Sequence, residues 1–218
     1  MKFLNSFSIF FLWITGFSIF IFFFLGDAYS EKYEYIILAP PEILKPTPAG
    51  EITTGFQLEQ PVDWNLISDS KLNQKGTLCI DLILANYNDR KNSGTFSMDL
   101  RAGHMSQEIL LNANAVHDND YQRFCFNALP LRDIAHKSTT LTLKGVDSPP
   151  GKAITAWMTS DITRGHARRG NQELDKSLVF SISVMTESNK KPIWAIVLTV
   201  LCGLSISVLF WPTRSGLR

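Results

Sequence analysis

The sequence predicts a mainly β protein: an antiparallel two-sheet β-sandwich flanked by two transmembrane α-helices. Three observations predict it. Two long uncharged apolar runs bracket a segment of ordinary soluble composition. Within that segment apolar residues recur with a period near two, the spacing of a half-buried strand, rather than 3.6. Clusters of Asn, Asp, Gly and Pro punctuate these runs at short intervals, as turns between strands do.

The first apolar run, Phe3 to Gly26, is rich in Phe, Ile and Leu and places a membrane helix, a signal anchor, at 1–26. About 20 apolar residues cross a hydrocarbon core of roughly 30 Å. A cleavable signal peptide is the rival reading, with Ala28-Tyr29-Ser30 supplying small residues before a cut at Glu31. The run exceeds the roughly 7–15 residues of a signal core, which favours the uncleaved anchor. Residues 27–50 hold Pro40, Pro41, Pro46 and Pro48 and read as a Pro-rich extended stalk, with a short strand allowed at Tyr33–Leu38.

The sandwich is expected over 51–189. Leu78, Ile80, Leu82 and Leu84 fall on one face of a strand, and Phe96, Met98 and Leu100 repeat the pattern. Phe124 and Phe126, Leu141 and Leu143, and Leu178 through Val184 do the same. Turns are expected at 88–94, 117–120 and 147–151, and short helical turns are allowed near Leu72 and Leu131. A second membrane helix is expected at 190–212, with Trp194 and Trp211 near its ends, and a cytoplasmic tail at 213–218. Lys2, Arg214 and Arg218 in the short tails predict both ends inside and the domain outside; Lys190 and Lys191 dissent, but long translocated domains escape the rule.

Residues 31–189 carry sixteen Lys and Arg against nineteen Asp and Glu, a net charge of −3. A mildly acidic domain without a basic stripe argues against nucleic acid and against an electrostatic grip on anionic lipid.

A resemblance emerges from three stretches: the Phe56-Gln57 pair, LCIDLILANYNDRKNSGTFSMDLR at 78–101, and DNDYQRFCFNALPLRDIAHKSTTLTLKGVDSPPGKAITAW at 118–157. Their order resembles the jelly-roll, galactose-binding-like sandwich of bacterial envelope proteins, also found attached to membrane glycosyltransferases. It covers about Gly50 to Val184 and departs at Cys79 and Asn86, where small or apolar residues are expected. The resemblance implies a jelly-roll topology, a bacterial cytoplasmic-membrane location and a glycan or a membrane glycosyltransferase as partner.

Cys79 and Cys125 both point away from their strands' apolar sets, so in an oxidising compartment they either form a disulfide or stand as two thiols. Cys202 lies inside the second apolar run. His104, His117, His136 and His166 show no metal-ligand spacing, and no catalytic motif is present, so neither metal, cofactor nor catalytic residue is expected. Asp118, Asn119 and Asp120 fit a polar turn better than a calcium loop. The long polar stretch 159–176 brings Arg164, Arg168 and Arg169, whose forks suit carboxylates or phosphates. Trp64, Tyr87 and Tyr121 offer aromatic faces for sugar stacking, while Trp157 alternates like a packed strand residue. The expectation is a non-enzymatic, membrane-anchored accessory protein of envelope glycan assembly. The alternative is a scaffolding subunit of a membrane complex, in which Gly203, Ser205 and Ser207 let helices approach closely.

Overall fold

The computed structural model of the protein describes residues 13–14, 16–17, 30–72, 76–88, 90–127 and 131–189. The chain divides into two units: Glu34–Thr186, and the two chain ends, Met1–Tyr33 with Glu187–Arg218. The expected membrane helices at 1–26 and 190–212, and the tail at 213–218, lie outside the described residues save for four positions, where the Trp13 and Phe17 rings stack at 5.8 Å. Among the described residues no helix is long and apolar enough to cross a membrane.

Two antiparallel sheets form the sandwich. The seven-stranded sheet runs in the order β1 (Ser30–Leu38), β13 (Phe180–Asn189), β4 (Thr77–Ala85), β9 (Thr155–Thr159) and β12 (Ser177–Leu178). To it β7 (Asp120–Phe126) adds along β4, and β2 (Thr47–Pro48) along β9. The six-stranded sheet runs β11 (Gln172–Glu173), β10 (Arg168–Arg169), β3 (Gln57–Val62), β8 (Thr139–Gly145), β5 (Thr95–Ala102) and β6 (Met105–Asn112). From β3 to β9 the chain passes repeatedly from one sheet to the other, a path compatible with a jelly roll.

The period-two pattern explains the packing. Leu78, Ile80, Leu82 and Leu84 of β4 face the six-stranded sheet, where Phe96, Met98 and Leu143 meet them, all essentially sealed from solvent. Phe96 and Phe124 pack edge to face across the layers, centroids 6.3 Å apart. The segment expected as a stalk behaves differently. Its Tyr33–Leu38 stretch is part of an edge strand, Ile37, Leu38 and Ala49 join the core, and Thr47–Pro48 pairs with β9. Proline is tolerated there because β2 is short and needs few backbone donors.

The two ends of the sandwich are built unlike one another. At one end the connection after β3 carries α1 (Asp69–Leu72) and the connection before β8 carries α2 (Leu131–Ala135), and together they plug the core with Trp64, Ile67, Leu72, Leu131 and Ile134. The strand β13 leaves the sandwich at this end, where Met185 lies opposite Thr77, and Glu34 of β1 sits beside Ser183. At the far end lie residues 49–56 and the connections β4–β5, β6–β7 and β8–β9. Gly145 is required here, because a Cβ on it would collide with the Thr53 carbonyl; one on Gly94, at φ +88, would collide with the Ser148 backbone.

Candidate functional site

The residues singled out by the sequence go to several places. Trp64 is buried, 6% exposed, and its indole N–H donates to Thr139 Oγ1 at 2.8 Å. Its face is spent on the core. The three arginines string along the six-stranded sheet beside β3 and meet different surroundings. Arg164 packs by Gln60, its Nε buried and without a hydrogen bond among the described residues. Arg168 reaches Glu173 at 3.5 Å. Arg169 lies over the Phe56 ring, 4.8 Å from its centroid, and donates to the Ala49 carbonyl.

This stretch is held by a residue that sequence reasoning missed. Gln60 is fully buried, and its amide donates to the carbonyls of Arg164 at 3.2 Å and Gly165 at 3.3 Å. Its carbonyl accepts from the Leu178 amide at 2.9 Å, so one side chain ties the long stretch to both sheets. Nothing in an isolated Gln announces this, because its partners are distant in sequence.

Tyr87, Tyr121 and Trp157 gather at the far end around the turn before β7. Asp118 accepts the Asn86 amide at 2.7 Å, which places Tyr87 beside that turn. Asn119, held at φ +56, accepts the Trp157 indole N–H at 2.7 Å and donates to Asp118 at 2.7 Å. Tyr121 is opposite Ile83 and 44% exposed; Trp157 and Tyr121 both lie on the outer face of the seven-stranded sheet, since their neighbours Ala156 and Phe124 belong to the core. Asp118 thus spends its oxygens inside the turn. Among the described residues no group of three His, Cys, Asp or Glu is arranged to hold a metal ion.

Tyr87 sits at φ +60 with Asn88 at φ +61, backbone that a bulky side chain rarely adopts. The Arg90 guanidinium lies 4.5 Å from the Tyr87 centroid, pairs with Glu51 at 2.9 Å and donates to the Ala153 carbonyl. The Gly151 amide, and after it Arg90, hold the Glu51 carboxyl below the usual range against the opposing effect of burial. These contacts fix a conformation that the backbone alone disfavours.

A transverse belt braces the outer face beside this corner. Arg123 of β7 makes a bidentate pair with Asp81 at 2.7 and 2.9 Å, then reaches across β13 to Glu34 of β1 at 2.7 Å. Ser181 and Ser183 on β13 are small enough to let the arm pass over them. Burial, then the Asp81 charge, push the Tyr121 phenol above its ordinary value. Next to the belt Cys79 and Cys125, directly opposed on β4 and β7 with Cα atoms 4.1 Å apart, are joined in a disulfide.

No protein-family model matches the chain, and no curated protein matches it either. The site is therefore read from its own chemistry. It has aromatic side chains around a turn whose amide and carboxylate groups bond one another, and a braced frame beneath.

Proposed function

We propose that the protein is a non-enzymatic, membrane-anchored accessory protein of the bacterial envelope whose extracytoplasmic sandwich holds glycan at the Tyr87–Tyr121–Trp157 corner. The observation that carries this reading is the corner itself. Sugar rings present apolar C–H faces, and a ligand of that kind needs flat apolar faces held in set positions. Asn119 fixes the Trp157 ring and is itself held by Asp118, so the turn sets the aromatic side chains in place.

Location is argued separately. The uncharged runs at 3–26 and 192–212 suit two spans of the cytoplasmic membrane, with both chain ends inside. A disulfide suits an oxidising compartment outside the cytoplasm. The galactose-binding-like pattern of the sequence favours the same class of ligand, with docking on a membrane glycosyltransferase as the setting.

The test is a glycan array probed with the full chain in detergent micelles, beside Tyr121→Ala and Tyr87→Ala variants. Saturable binding to one class of envelope glycan, weakened several-fold in each variant, is the expected result; a lost aromatic contact of about 1 kcal/mol corresponds to about fivefold. A blank array for a folded chain rejects the glycan reading and leaves the scaffold reading, with Gly203, Ser205 and Ser207 as its helix-contact positions.

A further inference from the structure

Beside the corner lies a second feature that the glycan reading does not use. A depression of about 500 Å³ is lined by Thr53, Thr54, Gly55, Phe56, Gln57 and Arg169. We propose that this depression, with Arg169 as its anchor, binds an oxyanion substituent, a carboxylate or a phosphate, carried by the glycan. The inference rests on the glycan reading above and narrows it to acidic glycans.

The state of Arg169 carries it. A guanidinium has five N–H donors in a fixed fork. Among the described residues, that of Arg169 makes one hydrogen bond, to the Ala49 carbonyl, and no ion pair. Two neighbouring arginines are matched by carboxylates, Arg168 by Glu173 at 3.5 Å and Arg90 by Glu51 at 2.9 Å, while the Nε of Arg164 is buried. Arg169 is held without being neutralised. Phe56 lies under it, the Ala49 carbonyl fixes one nitrogen, and Gly50, at φ +95, leaves room beside Nη2, which even an added Cβ would only touch at 3.6 Å. A positioned fork with open donors matches two oxygens of one anion; Thr53, Thr54 and Gln57 line the same depression, the Gln57 amide donating to Glu59 at 2.8 Å and the Thr54 hydroxyl to the Ser148 carbonyl at 3.4 Å.

The depression is also joined to the aromatic corner. The strip Ala49–Glu51 gives its first carbonyl to Arg169 and its last carboxylate to Arg90, which lies over Tyr87. One oligosaccharide laid across this strip meets aromatic faces at one end and the open fork at the other.

The experiment measures binding of three oligomers of equal length to the full chain in micelles: an oligo-glucuronate, an oligo(glycerol phosphate) and a neutral oligoglucan. The variants are Arg169→Gln, Arg169→Lys and Thr54→Glu, the last placing a competing carboxylate in the depression from an exposed position. The expected result is that at least one acidic oligomer binds more tightly than the neutral one, and that Arg169→Gln and Thr54→Glu weaken it by about 10- to 100-fold, the range for a lost charge-assisted hydrogen bond. Arg169→Lys is expected to fall between, since it keeps the charge and loses the fork. Preference for glucuronate or for glycerol phosphate identifies the anion. Neutral oligoglucan bound as tightly as both acidic oligomers, or acidic binding unmoved in both Arg169→Gln and Thr54→Glu, overturns this inference and leaves the glycan reading standing. Binding of none of the three, with a blank array, removes both.

Discussion

The two ends of the sandwich solve the same problem, closing a core between two sheets, by opposite means. The end bearing α1 and α2 is plugged with apolar side chains: Trp64, Ile67, Leu131 and Ile134 are all buried. The far end is closed by polar contacts. Asp147 takes the Thr95 amide and hydroxyl, Glu51 takes the Gly151 amide, and Asp118 takes the Asn86 amide. Strain follows the polar end: of the four non-glycine residues at positive φ among the described residues, Tyr87, Asn88 and Asn119 lie there. Apolar burial gives stability without directionality. Directional hydrogen bonds hold exposed side chains in set positions, as a binding surface requires. The plugged end therefore supplies stability, and the far end holds its side chains in set positions.

The largest expected effect comes from the link that serves both ends. Cys79 and Cys125 are 46 residues apart, and closing a loop of that length stabilises by about 4 kcal/mol in the chain-entropy model. Because β4 runs into the 86–88 turn and β7 starts after Asn119, the double Cys79→Ser, Cys125→Ser variant is expected to lower denaturant stability by that order and to loosen the corner with it. Urea unfolding followed by tryptophan fluorescence checks the first effect. An unchanged midpoint in the variant contradicts it.

Next is the plug itself. Ile134→Ala opens a cavity in a fully buried site and is expected to cost about 3 kcal/mol. Tyr121→Ala, on the exposed outer face, is expected to change stability by less than about 0.5 kcal/mol. Equal losses from the two substitutions break the division of labour between the ends. Gln60→Leu tests the tie between long stretch and sheets: it strands the Leu178 amide and two carbonyls, for an expected loss of about 2 kcal/mol.

Acid separates the ends without mutation. The Thr95 hydroxyl and amide hold the Asp147 carboxyl below its ordinary 3.8, and Gly151 and Arg90 hold Glu51 below 4.5. A carboxyl whose folded value is depressed stabilises above its unfolded value, and that contribution disappears as pH falls through the folded value. Glu34 on β1 is likewise held low, by Ser183 and Arg123, so below about pH 4 hydrogen-exchange protection is expected to be lost at the Thr95 and Gly151 amides and along the β1 edge, while the amides of α2 near Ile134 keep theirs. Simultaneous loss at the α2 amides contradicts this order.

How much of this was legible in the sequence divides along the same line. Strands β4, β5, β7, β8 and β13 announced themselves because one face is apolar and the other is not, and the turn clusters marked the far-end connections. Within β1 the sequence allows only a short strand at Tyr33–Leu38, because its polarity is mixed, and β2 was obscured by proline, since so short a segment needs neither alternation nor a full set of donors. The edge strand β6 went unnoticed for a related reason, its apolar residues being only half-buried. The corner was half legible. Tyr87 and Tyr121 stood out as aromatics, but that Trp157 joins them depends on the Asn119 amide, and that Trp64 does not depends on Thr139. Both facts rest on contacts distant in sequence, 38 and 75 residues apart. Composition and periodicity carry no trace of such pairings.

The smallest expected effect on stability is the sharpest test of the comparison. Tyr87 at φ +60 costs about 1–2 kcal/mol relative to glycine, and its contact with the Arg90 guanidinium returns about 0.5–1 kcal/mol. Tyr87→Gly relieves the first and removes the second, so stability is expected to stay level or rise slightly. Glycan binding is expected to fall. A residue kept only for packing gives the opposite pair of results, lower stability with binding intact. Unfolding curves and binding isotherms on the same variant distinguish the two. Level stability with weakened binding means that the strained tyrosine is held at the far end for its half-buried ring, and that the contacts of Arg90 with Glu51 and Ala153 serve to keep it there.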